Sequence, residues 1–336
     1  MAVVAAAIER LAVGDPIAFQ NLVMFPLLGE ESAEASYLTL DAALASGGLA
    51  VTEVSHGGSV PDLLVTNTLD RAVLLLDGEE VIGARQNRVF NLTLLLAGKS
   101  KTVVPVSCVE AGRWSQVSPR FSSASRTQHA LGRSARLAQV SHSLSVFKSR
   151  RSDQSQVWEE IARKQRHMEV ASSTSAMADI YERYAVSIDQ FVAALVPVES
   201  QRGAVFAVNS AITGVELFDC TATLKALLPK IVRSYALDAI EVAEPGKAQP
   251  AAPAKDAAAA FLAEVGAAPA ESFPAVGLGE DLRLHSDTVA GACLAVDGKL
   301  VHLCAFRIGS SGAAESGRAA MVRAAARRRY AERRHD

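Results

Sequence analysis

The sequence predicts an α+β protein, with a β-rich antiparallel N-terminal sheet or sandwich followed by a unit of helices and β-hairpins. Three observations lead there. Between Arg71 and Trp114, short apolar runs alternate with turn signals at strand spacing. From Gln154 to Leu195, apolar residues such as Val157, Ile161, Ile180, Ile188 and Val192 recur at helical spacing. Finally, residues 203–218 (GAVFAVNSAITGVELF) align without a gap on residues 291–306 (GACLAVDGKLVHLCAF), each with a turn dipeptide between two apolar runs.

Taken in order, Ile17–Leu28 reads as an opening strand broken near Pro26, and the alanine-rich 33–45 as a short helix. Leu49–Ser55 alternates cleanly and Leu63–Asn67 follows as another short strand. Leu74–Leu76 runs into Asp77-Gly78, which suits a tight hairpin returning through Val81-Ile82. Phe90–Leu96 and Thr102–Cys108 are the next strands, joined through Ala97-Gly98-Lys99-Ser100. Two helices are expected over 154–168 and 175–195, ended by Pro197. Residues 222–240 are amphipathic, and Pro229 inside them implies a kink or a break. A Pro/Ala-rich linker follows at 243–255, then a helix at 257–265 capped by Asp256. The expected division is a β-rich domain over 1–115, a basic serine-rich connecting arm over 116–155, an α+β domain with two similar hairpins over 156–308, and a basic tail over 309–336.

Composition removes several function classes. A formal net charge of −2 argues against nucleic acid or an anionic membrane as partner of the whole molecule. No apolar run reaches the roughly 18 residues of a membrane span. The opening MAVVAAAIER lacks a basic leader and meets charge early, so no signal peptide is expected. Cys108, Cys220, Cys293 and Cys304 form no CxxC pair and no zinc spacing, which fits reduced thiols in a cytoplasmic protein with no metal and no cofactor. A homo-oligomer is compatible with all of this.

Chemistry concentrates between residues 79 and 114. Glu80, Gln86, Asn87, Arg88, Glu110 and Arg113 sit at strand ends, with Trp114 beside them. Gln86-Asn87-Arg88 stands out, three polar residues between apolar strands with neither Gly nor Pro among them. These residues are expected to converge on one pocket in which Arg88 and Arg113 hold an anion and the amides read its hydroxyls. The bland alternative is a structural salt-bridge cluster. Gly98-Lys99-Ser100 lacks the earlier glycine of a phosphate loop, because Thr93 occupies that place. Cys108 and Arg113 bracket four residues, one too few for the phosphatase cradle, so Cys108 reads as a buried thiol. His302, inside an apolar run, reads as a satisfied core histidine. The many arginines of the arm, with few acids beside them, suit either a solvated loop or a cover that an anionic ligand orders.

LLLDGEEVIGARQNR followed by VPVSCVEAGRW, together with the two hairpin segments, resembles the ARG-and-rhodanese-phosphatase-superfamily-associated protein domain family. The resemblance implies a setting in NAD or ADP-ribose metabolism and a small anionic, nucleotide-like ligand. It assigns no catalytic residue. The rival expectation is a hydrolase acting on ADP-ribose conjugates or phosphate esters, with Glu79, Glu80 or Glu110 as general base.

Overall fold

The two segments that align in the sequence fold as the same unit. In the computed structural model, which describes residues 2–30, 34–55, 58–244 and 251–309, Gln201–Val208 pairs with Ala211–Phe218 and Val289–Val296 pairs with Lys299–Arg307. Asn209 (φ 53°) and Asp297 (φ 50°) open the two turns in the left-handed region. Each hairpin slips register at the matching place, between Phe206 and Ala207 in one and Leu294 and Ala295 in the other. Gly214 opposite Phe306 joins them edge to edge. The resulting antiparallel sheet has nine strands, extended by Leu22–Leu28 on one side and by Glu280–His285 and Ala270–Pro274 on the other.

Strand alternation gives this sheet two apolar faces. Phe206, Phe218 and Phe306 pack under the helix Thr221–Glu241, against Leu228, Ile231 and Tyr235. Val205, Leu217 and Leu303 face the helices Ala2–Ile8 and Lys255–Ala267 through Val4, Phe261 and Val265. Pro229 lies on the exposed side of its helix, where water can take the carbonyl it leaves unpaired, and the helix runs on unbroken.

The remaining strands form a six-stranded sheet and a three-stranded sheet. The larger runs Phe121–Thr127, Glu79–Gly83, Arg88–Phe90, Ser100–Cys108, Asp62–Asn67 and Leu49–Glu53 in spatial order, and the smaller Leu94–Leu96, Ala72–Leu75 and Tyr37–Thr39. They share a core of Val65, Val73, Leu75, Val81, Phe90, Leu96 and Val106. The α+β class therefore holds.

Several local expectations change. Asp77-Gly78 is a turn, with Glu79 N–H donating to Leu76 O at 3.1 Å, but it hands the chain from one sheet to the other and closes no hairpin. Gly78 has a φ of 78°, and a Cβ there would meet Arg133 Cγ at 2.8 Å, so the turn demands glycine twice over. Phe90–Leu96 likewise splits between sheets at Asn91, whose side chain bonds Arg150 O and Ser107. Ile17–Leu28 is a hairpin turning at Gln20 (φ 49°) rather than one strand. Pro26 sits where its partner strands change from Ile17–Phe19 to Ala12–Val13, so no donor is missed. Residues 37–45 begin as strand and become helix only from Leu40, with Thr39 as cap. The expected helix 175–195 breaks at Tyr184 into Met177–Arg183 and Ala185–Ala194. Residues 245–250 of the expected linker and the basic tail from 310 lie outside the described residues.

The largest change concerns the arm. Residues 116–155 carry the strand Phe121–Thr127 and the helix Ala130–Phe147. The acidic partners absent nearby in sequence come from afar: Arg126 meets Glu80, Arg133 meets Asp77 and Glu216, and Arg136 meets Asp77.

Candidate functional site

Arg88 lies in the middle of the six-stranded sheet, opposite Val81 on one neighbour and Cys108 on the other. Cross-strand partners share a face, so its side chain enters the same interior as Phe90 and Val106. The guanidinium is fully buried. Among the described residues its only hydrogen bond is a long one, Nη1 to Asn87 O at 3.5 Å, and Nε and Nη2 have no partner. Among the described residues it forms no ion pair. Burial therefore pulls its pKa down, against the weaker opposing pull of Cys108 and Glu53. The same burial pushes the Cys108 thiol up, which leaves it a poor nucleophile.

Over Arg88 lies Trp114, with the guanidinium carbon 5.8 Å from the ring centroid. Arg85 approaches the same ring at 5.6 Å, and the indole is 45% exposed. Trp114 is thus an exposed aromatic cover on a buried cation. Close by, Gln86 donates its amide to Glu110 O at 2.9 Å, and its own Oε1 is buried without a donor. Unspent donors and an unspent acceptor in one region are uncommon in protein interiors.

Glu110 and Arg113 frame this region. Arg113 spans the Glu110 carboxylate with Nε at 2.9 Å and Nη2 at 2.6 Å. Its remaining donors go to Ala84 O, Ser115 O and Asn87 Oδ1. Asn87 N–H and Thr174 Oγ1 also donate to Glu110, at 3.1 and 3.0 Å. Burial opposes the Glu110 carboxylate, but these bonds outweigh it and hold the pKa below the usual range. The Gly112 N–H to Thr174 O bond, 2.7 Å, pins the loop to the helical half. Arg113 has no donor left for a ligand.

Glu80 belongs elsewhere. It pairs with Val89 in register, so it projects to the face opposite Arg88, where Arg126 holds it at 2.5 Å. Glu79 is bonded to Lys230 at 2.5 Å and is also buried. Desolvation raises the pKa of both carboxylates. All three residues considered as general base are thus locked to a cation. Of the seven site residues, the fold gathers Gln86, Asn87, Arg88, Glu110, Arg113 and Trp114, and turns Glu80 away.

A second polar cluster lay hidden from the local pattern. Asp77 takes Arg136 at 2.6 Å and Arg133 at 3.3 Å, and Arg133 reaches on to Glu216 at 2.6 Å. His302 stacks on Phe218 and bonds Glu216 through Nε2 at 3.0 Å and Thr93 through Nδ1 at 2.8 Å. Thr93 Oγ1 also accepts the Asp77 N–H, and because a carboxylate can only accept, Nε2–H donates to Glu216. His302 is a satisfied core histidine. The available signal was a lone polar or charged residue within an apolar run: Glu216 in GVELF, His302 in LVHLC, Lys230 in LLPKIV.

The family model described as ARG and Rhodanese-Phosphatase-superfamily-associated Protein domain matches residues 10–306, and the chain belongs to that family. No curated protein and no solved structure matches it.

Proposed function

From membership in this family, we propose that the chain binds a nucleotide-like anion, with ADP-ribose as the first compound to try, at Arg88 beneath Trp114. The observation behind this reading is a buried guanidinium with Nε and Nη2 unpartnered. A buried cation without a counter-charge is costly, and a phosphate that takes its fork removes the cost. Trp114 swings off the guanidinium and stacks on the base, while Gln86 Oε1 accepts from a ligand hydroxyl. Glu110, Arg113 and Asn87 hold the loop that carries the indole.

Arg88→Met tests it. Without ligand, the variant should melt at or slightly above the parent temperature, because it removes an uncompensated charge. A saturating ligand, at about a hundred times its Kd, should stabilise the parent by about 2.7 kcal/mol and leave Arg88→Met unmoved. Arg113→Ala should lower the melting point of the free protein instead. If Arg88→Met alone unfolds the chain, or shifts with ligand like the parent, Arg88 is structural and the reading fails.

A further inference from the structure

The six-stranded sheet ends at Leu49–Glu53 on one side and Phe121–Thr127 on the other. Both edge strands come together beside the helix Leu40–Ala45 on one open cleft of about 460 Å³, lined among others by Asp41, Leu44, Leu49, Arg120, Ser123 and Ser125. That volume lies within the ordinary range of small-molecule sites, about 300–1,000 Å³. The cleft is apart from Arg88, whose side chain is buried in the sheet's interior and does not line it.

A bulge shapes its wall. Ser123 stands opposite Val81 and Thr127 opposite Glu79, so four steps on one strand span two on the other. Ser125 takes a φ of 55° within the bulge. Ser122 and Ser123, still in regular register before the bulge, line the cleft together with Ser125 from within it. Beneath them is Lys230, buried on the helix Thr221–Glu241. Its ammonium donates to Asp41 at 2.7 Å, Glu79 at 2.5 Å and Ser123 Oγ at 3.1 Å. Ser123 Oγ also accepts the Ser125 N–H at 3.2 Å. With both lone pairs engaged, the Ser123 hydroxyl proton remains to be donated into the cleft. Arg120 is exposed on the wall and forms no ion pair among the described residues.

We propose that this cleft binds a small sugar phosphate. The phosphate takes the Arg120 guanidinium and the hydroxyls of Ser123 and Ser125, the first of them held in place by Lys230. Asp41, whose side chain is 44% exposed, accepts from a sugar hydroxyl while it keeps Lys230. A bare anion would meet the Asp41 carboxylate with nothing in return, and a neutral sugar would leave Arg120 unused.

Calorimetric titration of the full chain with ribose 5-phosphate, ribose and inorganic phosphate tests this. Ribose 5-phosphate should bind saturably and the other two weakly or not at all. Arg120→Ala, at an exposed position, should weaken the sugar phosphate about tenfold or more, the share of one charge-assisted hydrogen bond, and Asp41→Asn should also weaken it. Arg88→Met should bind it like the parent, which separates this cleft from the Arg88 site. No saturable heat, equal affinity for inorganic phosphate, or an unchanged Arg120→Ala would overturn the proposal.

Discussion

Glu216→Gln should destabilise the protein by about 3–5 kcal/mol, because breaking a buried pair from one side leaves the other charge uncompensated. Arg133 is fully buried and gives Glu216 two bonds, at 2.6 and 3.3 Å. Without that carboxylate it must share Asp77 with Arg136, which is already short of acceptors at Nε and Nη1. His302 Nε2–H would lose its carboxylate in the same change. The urea midpoint should fall with little change in the slope of unfolding. A loss below about 1 kcal/mol would mean that water replaces the carboxylate, and that the cluster is not the dry network described.

Lys230→Met should be comparably severe at neutral pH, about 3–5 kcal/mol by the same reasoning. Here the cost depends on acidity. Burial already raises the pKa of Glu79, and Lys230 is the first influence opposing that rise. Without the ammonium, the folded pKa of Glu79 rises further. A carboxyl whose folded pKa exceeds its unfolded one gains relative stability as pH falls through the folded value. The gap between Lys230→Met and the parent should therefore narrow from pH 7.5 towards pH 5. Adding Glu79→Gln should narrow it at every pH. A gap that stays constant with pH would assign the loss to packing of the lysine stem rather than to Glu79.

These clusters explain where the sequence was legible and where it was not. The duplicated hairpins could be read from local pattern, because alternation and an Asn-Ser or Asp-Gly turn are properties of sixteen consecutive residues. Which strands share a sheet was not local. Leu74–Leu76 and Val81-Ile82 look like two arms of one hairpin, but the partners that separate them, Leu94–Leu96 and Phe121–Thr127, lie further along the chain. The arm was opaque for the same reason: Arg133 finds Glu216 across 83 residues. Within residues 79–114, the polar set was found as a set, but roles were not. Arg113 and Arg88 look alike in sequence, yet one spends its donors on the loop while the other keeps Nε and Nη2 unspent. Glu80 falls outside the group through strand alternation, a consequence of register that only pairing with Val89 fixes.

The most direct test of the Arg88 site is the emission of Trp114 itself. The chain has two tryptophans, so Trp158→Phe leaves Trp114 as the sole reporter. Titrating that protein with ADP-ribose should give a saturable change in emission as the indole leaves the guanidinium for the base, and Arg88→Met in the same background should abolish it. No saturable change, or an equal change without Arg88, would contradict a ligand site beneath Trp114.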